Sequence, residues 1–240
     1  SLRTSFGVVI LITTLVMYMI YRIPGKIGHL VGLTATMILF ALPLAGAWVS
    51  GHTQSILISG LIPVSDATNY YIDALRILNG ADISSFSAMR PFFPGFLAFL
   101  LSITGRNLMS ALGILTALMG IASYIATREI QKTHGTEPAV IFLVLMFLYF
   151  RHHSGTTLSE SLGVTVSLLG IALLWQGKRI NKEWVMLFGL VLATFALNIR
   201  PGAMFILPAF LLWGTWYFRG DKRYSIKFFI TGTLLIASVF

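Results

Sequence analysis

The chain alternates between long apolar runs and short polar stretches that carry most of its charged residues. Apolar runs of about 17 to 25 residues match the length of a helix that crosses a bilayer, and runs that alternate apolar and polar residues, as in a membrane barrel, are missing. The pattern predicts an all-α, polytopic transmembrane helix bundle. We predict about eight spans, at 6–23, 27–49, 107–127, 138–150, 156–176, 183–199, 201–218 and from about residue 224 onward.

Composition supports a membrane protein. Hydrophobic residues make up 56% of the chain and charged residues 10%, which leaves too little polar surface for a soluble globule. The net charge of +9 comes from Lys and Arg residues spread over short loops, as expected for contacts with lipid headgroups, so nucleic acid is not a predicted partner. The chain has no cysteine, which excludes disulfides and thiolate catalysis.

The basic residues predict how the bundle is oriented. Positively charged loops stay in the cytoplasm. The loop between residues 50 and 90 then faces outward, as do the turns near His152 and Arg200. Four basic clusters carry this prediction: Arg22 with Lys26, Arg128 with Lys132, Lys178 with Arg179 and Lys182, and Arg219 with Lys222, Arg223 and Lys227.

The apolar run 91–104 does not fit as a full span. Arg90 is predicted outside and Arg128 inside, so a single crossing separates them, yet two apolar runs lie between. At about 1.5 Å per residue the first run reaches roughly 20 Å of a hydrocarbon core about 30 Å thick. We therefore predict that it is a half-helix or an inclined segment.

The apolar run at the C-terminus continues to Phe240 without a polar residue that would mark the membrane surface. This pattern predicts that the sequence is a piece of a longer protein. Within it we expect a single transmembrane domain over residues 1–240, with the first external loop, residues 50–90, as the place for chemistry.

Three acidic residues lie in the outward loop, and two of them fall on one predicted helix face. Asp66, Tyr70 and Asp73 recur at helical spacing after a candidate N-cap, Ser65 or Asp66, and Asn79 with Gly80 ends the segment. This predicts a juxtamembrane helix. In the alternative interpretation Asp66 is a helix cap and Asp73 a solvated side chain. Arg90 then precedes prolines that open the next helix, where it is a phosphate ligand or an interfacial anchor.

These residues carry a family resemblance. SDATNYYIDALRILNG followed by RPFFPGFLAFL resembles the first external loop of the GT-C superfamily, the membrane glycosyltransferases that use polyprenyl-phosphate sugars and include protein O-mannosyltransferases and the bacterial aminoarabinose transferase. Two later motifs add to it, TLSESL with Glu160 and NIRP with Arg200. The residues of the first loop that match are Asp66, Tyr70, Ala74, Gly80, Arg90, Pro91 and Pro94.

The resemblance implies an inverting glycosyltransferase of the plasma (inner) membrane of a bacterium, with its active site facing outward. Asp66 would be the catalytic base. Arg90 and Arg200 would bind the donor phosphate, since guanidinium groups bind phosphate oxygens bidentately. Glu160 is a binding candidate because a carboxylate at the membrane is costly unless paired, although it could also favour its helix N-terminus. The implied partners are a polyprenyl-phosphate-linked sugar, membrane lipid and an acceptor glycan, lipid or protein.

Tyr70 and His153 are further substrate-binding candidates at the same predicted face. His152 and His153 are adjacent, and such a pair lacks the i, i+4 spacing of a helical metal site. Many members of the family place a second acidic residue directly beside the first, whereas Ala67 follows Asp66 here, which argues against a divalent metal site like that of the members that use one. We therefore assign no metal ligand, and dependence on a divalent metal stays open.

Two other functions also fit an apolar bundle with interfacial charges. A transporter or flippase-like carrier would line a pathway with these charges, but the repeated halves common in transporters are missing from the sequence. A lipid-linked glycan ligase or polymerase would share the polyprenyl phosphate and would need a large outward loop late in the chain.

Overall fold

A computed structural model describes residues 7–51, 57–58, 60, 62–63, 65–88, 90–200, 202, 204–220 and 223–239. This part of the chain is almost entirely helical, with one two-stranded antiparallel pairing, β1 (Leu57–Ile58) with β2 (Ile62–Pro63). The helices are α1 (Val8–Tyr21), α2 (Gly25–Ser50), α3 (Asp66–Leu78), α4 (Ser85–Ala88), α5 (Phe92–Ile103), α6 (Leu108–His134), α7 (Thr136–His153), α8 (Ser159–Arg179), α9 (Glu183–Ile199), α10 (Ile206–Tyr217) and α11 (Ile226–Val239).

Each apolar run predicted to span the membrane contains a helix. By length and composition, three of the described helices could cross a bilayer, namely α2, α6 and α8. The helices α1, α9, α10 and α11 are apolar but only 12 to 17 residues long. α7 has 18 residues, with Glu137 in its first turn and Arg151, His152 and His153 in its last. The fold is therefore a helical bundle with three candidate membrane spans.

The contacts between helices define two ends of the bundle. α2 and α6 are antiparallel, because Arg128 near the end of α6 donates to the Gly28 carbonyl at the start of α2, at 2.6 Å. α6 and α8 are parallel, because Glu129 meets Arg179 and Met119 meets Thr165. We call the end that holds the start of α6 and α8 the site end, and the opposite end the basic end.

The basic end contains all the described members of the four predicted basic clusters. Tyr18 near the end of α1 contacts Glu137 at the start of α7, and Lys227 at the start of α11 approaches Glu183 at the start of α9. Lys222 lies outside the described residues. The predicted orientation requires the four clusters to lie on one side of the membrane, and their described members do lie at one end of the bundle.

Close packing of α8 against α9 depends on glycine. A Cβ at Gly170 would lie 2.9 Å from the Ala193 nitrogen, and one at Gly189 would lie 2.7 Å from the Leu174 nitrogen. The two backbones therefore touch without side chains between them, as in other membrane helix pairs built on small residues. The pair is antiparallel, so Glu160 at the start of α8 and Arg200 after α9 come to the same end.

The structure also accounts for the run 91–104. α5 has 12 residues and reaches about 18 Å, less than the thickness of a bilayer core. The turn after it is held by Arg106, whose guanidinium donates to the Asn79 side chain just after α3, at 2.9 Å. α6 then begins near the end of α2, where Gly113 faces Trp48. Both ends of α5 thus lie at the site end, and α5 alone does not traverse the bundle.

Candidate functional site

An ion pair joins two of the predicted site residues. Arg200, the residue that follows α9, places Nη2 2.9 Å from Oε1 of Glu160 in the first turn of α8. The Glu160 side chain is 13% exposed and that of Arg200 is 41% exposed. Gly163 permits this approach, since a Cβ there would lie 2.9 Å from the Arg200 Cβ. Oε2 of Glu160 is buried and has no hydrogen-bond partner among the described residues.

The turn between α7 and α8 is polar yet buried. Its residues Ser154, Thr156 and Thr157, with Ser159 after it, are each no more than 1% exposed. The Thr157 hydroxyl donates to the Ala67 carbonyl oxygen at 2.6 Å, which fixes the start of α3 against this turn. Asp66, next to Ala67, therefore lies at the same end of the bundle as the Glu160–Arg200 pair.

The Asp66 carboxylate is accessible. Asp66 is the first residue of α3 and is exposed. The preceding residue, Ser65, occupies the N-cap position with φ 63°, a backbone conformation that is uncommon for residues other than glycine, and its side chain makes no capping hydrogen bond. Within the described residues, no hydrogen bond or ion pair occupies the Asp66 carboxylate, so it can receive a proton from a ligand.

Asp73 is not solvated, which corrects the alternative interpretation of the sequence. It is 1% exposed and accepts hydrogen bonds from the Ser84 amide at 3.0 Å, the Ser84 hydroxyl and Arg76 at 3.1 Å. Burial alone would raise the pKa of Asp73, but the hydrogen bonds, those from Ser84 foremost, outweigh it and lower that pKa to about 2. Asp73 therefore holds the segment after α3 in place.

Tyr70 lies in the apolar core beneath the site. It is 2% exposed, and its ring centroid is 5.3 Å from that of Phe86 and 5.2 Å from that of Phe93. The Tyr70 ring thus packs α3 against both α4 and α5.

Arg90 is half-buried and lies two residues before α5. Phe92, at the start of that helix, packs edge-on against Phe195 of α9 with centroids 4.5 Å apart. Arg90 therefore lies at the end of the bundle where Arg200 follows α9. In the described part of the chain, no hydrogen bond or ion pair joins Arg90 or Asp66 directly to the Glu160–Arg200 pair.

His153 is the last residue of α7 at this end, and its ring contacts that of Tyr149 at a tilt of 31°, with centroids 4.7 Å apart. Its Nδ1 lies 3.1 Å from the Tyr149 carbonyl oxygen. Sequence reasoning missed Tyr149; its i, i+4 spacing from His153 is the signal that could have found it.

The arrangement of the acidic and histidine side chains bears on metal binding. Across the described ranges, no group of three or more His, Cys, Asp or Glu side chains comes together as a metal-binding set.

The chain matches no protein-family model, and no curated protein and no solved structure is significantly similar to it.

Proposed function

We propose that the chain is an integral membrane glycosyltransferase that moves a sugar from a polyprenyl-phosphate donor to an acceptor hydroxyl. In this proposal the bundle has a GT-C-like arrangement of about eight spans, including helices shorter than α2, α6 and α8. It lies in the plasma (inner) membrane of a bacterium, and the site end faces outward. The acceptor is a glycan, a lipid or a protein.

The observation that carries the proposal is the arrangement at the site end. An accessible carboxylate, Asp66, lies on the segment that Thr157 anchors to the turn before Glu160, and Glu160 pairs with the half-exposed Arg200. A base and a guanidinium group at one membrane surface are what sugar transfer from a lipid phosphate needs.

The reaction follows from these groups. Asp66 accepts the proton of the acceptor hydroxyl while its oxygen attacks the anomeric carbon from the face opposite the phosphate. The bond from the anomeric carbon to the phosphate oxygen breaks, and the polyprenyl phosphate leaves with the electron pair. Arg200 and Arg90 stabilise the charge that develops on the phosphate, and Glu160 orients Arg200. A single displacement inverts the anomeric centre.

Replacing the base tests the proposal. Asp66→Asn keeps the shape of the side chain and removes its basicity, so transfer from a polyprenyl-phosphate sugar should fall about 10²- to 10⁴-fold. Asp82→Asn is the matched control, because Asp82 is an exposed carboxylate in the same loop. It should retain near-normal transfer.

The cap interpretation predicts a different result. Asn caps a helix about as well as Asp, so under it Asp66→Asn would be nearly silent. Near-normal transfer by equal amounts of folded Asp66→Asn would therefore remove Asp66 as the base. If the wild-type protein moves intact lipid-linked sugar across a vesicle bilayer and transfers none of it, the carrier function replaces the transferase.

A further inference from the structure

A polar cavity lies at the basic end. It has a volume of about 370 Å³ and is formed by the ends of α6, α8 and α10. We call it the basic pocket, and its chemistry comes from Lys132, His134, Trp175, Lys178, Arg179 and Tyr217. Along α8, Lys178 is 18 residues from Glu160, or about 27 Å, so the basic pocket is separate from the site end.

The charges around the basic pocket do not balance. The Glu129 carboxylate pairs with both Lys132, at 2.5 Å, and Arg179, at 3.0 Å. Two cations thus share one carboxylate, and no ion pair joins the third, Lys178, to any acidic residue that the structure describes. Its ammonium group lies over the Trp213 ring, 5.5 Å from the centroid. An excess of positive charge in a cavity between helix ends favours an anionic ligand.

Trp175, which lines the basic pocket, carries a hydrogen-bond donor that the described residues leave without a partner. The indole Nε1 of Trp175 is buried and has no partner within the described residues. A buried donor without a partner destabilises the protein, and a hydrogen bond to a ligand oxygen would offset that cost. Lysines that only stabilise the C-terminal ends of α6 and α8 would not need a free N–H in the same pocket.

We propose that the basic pocket binds the phosphate group of an anionic ligand. Lys178 and Arg179 neutralise the charge, and the Trp175 N–H donates to a phosphate oxygen. The phosphate has two sources at this position, the headgroup of an anionic phospholipid or a soluble phosphate compound. The proposal does not depend on glycosyl transfer, because it concerns residues at the opposite end of α8.

Lipid binding can be measured directly. The whole chain, purified in a neutral detergent, is titrated with phosphatidylglycerol or phosphatidylcholine, and bound lipid is counted by native mass spectrometry. We expect saturable binding of phosphatidylglycerol that exceeds the binding of phosphatidylcholine. A parallel titration uses inorganic phosphate as competitor. Displacement of the lipid at submillimolar phosphate assigns the site to soluble phosphates, and resistance to displacement assigns it to the headgroup.

Two variants locate the binding. Lys178→Gln should weaken phosphatidylglycerol binding about fivefold, the effect of one basic residue near an anionic headgroup, and Lys178→Arg should restore it. Trp175→Phe keeps the ring and removes the donor, so it should also weaken binding. Lys26→Gln is the matched control, because Lys26 is an exposed lysine at the basic end that does not line the pocket.

Three results would overturn the proposal. The first is equal binding of the two lipids together with no binding of inorganic phosphate. The second is a Lys26→Gln protein that loses as much affinity as Lys178→Gln, which would make the attraction a property of the whole basic end. The third is a Lys178→Gln protein that binds phosphatidylglycerol as the wild type does.

Discussion

The Arg200 guanidinium and the Glu160 carboxylate lie 2.9 Å apart and join the chain after α9 to the first turn of α8. The contact leaves 41% of the Arg200 side chain exposed, so the guanidinium retains donors for a ligand while Glu160 holds its position. A single charged residue at this position is typical of a membrane surface. The ion pair instead holds the Glu160 and Arg200 side chains in place at the site end.

A double-mutant cycle measures this pair. Glu160→Gln and Arg200→Gln should each lower the thermal stability of the purified protein, and the double variant should lose less than the sum of the two. Because Arg200 is partly exposed, the coupling should be small, about 0.5 to 1 kcal/mol. Additive losses would contradict a direct interaction in the folded protein.

The segment after α3 should loosen in acid. The folded-state pKa of Asp73 is about 2, against 3.8 for the free side chain, so its stabilising effect is complete above about pH 4 and is lost as pH falls toward 2. The Ser84 amide donates to this carboxylate and reports the change. Its hydrogen exchange, corrected for the intrinsic rate at each pH, should accelerate between pH 4 and pH 2.

Asp73→Asn provides the comparison for that experiment. The neutral side chain accepts weaker hydrogen bonds, so the Ser84 amide should exchange about tenfold faster than in the wild type at pH 7. Its corrected rate should then stay flat down to pH 2. An acid-dependent rate that persists in Asp73→Asn would assign the effect to another group.

Both ends of α5 should be accessible from one side of the membrane. The chain has no cysteine, so a single Ser102→Cys substitution on the exposed side of α5 gives an unambiguous label. An impermeant maleimide should label it, and a cysteine at Asp82, from the outside. A cysteine at Lys182, at the basic end, should react only when the cytoplasmic face is open. If Ser102→Cys is labelled only under the conditions that label Lys182→Cys, then α5 crosses the membrane.

The sequence was informative about elements that depend on local pattern. Apolar runs indicated the helices from α6 to α9 closely, and Asn79 with Gly80 marked the end of α3, because such signals act over a few residues. The single crossing that the charge pattern allows between Arg90 and Arg128 also predicted that α5 is short. These features need no knowledge of which helices touch.

Side-chain surroundings were less accessible from sequence. Asp73 is two turns from Asp66 and has the same chemical character, yet eleven residues of chain bring Ser84 back to it and bury it. Likewise, the hydrogen bond from Thr157 to Ala67 joins residues 90 positions apart. Contacts of this kind depend on tertiary packing, which a single sequence does not encode in any local pattern.

The glycine contact between α8 and α9 has a consequence for how a ligand could enter. Because backbone touches backbone at Gly170 and Gly189, these helices have no side chains between them that could change rotamer and let them slide. Glu160 and Arg200 therefore lie at one end of a stiff hairpin formed by α8 and α9. α3, in contrast, is bounded by turns at both ends, with glycine at Gly80. Under the proposed function, we expect a bulky lipid-linked ligand to enter beside the α8–α9 hairpin and not by separation of these two helices.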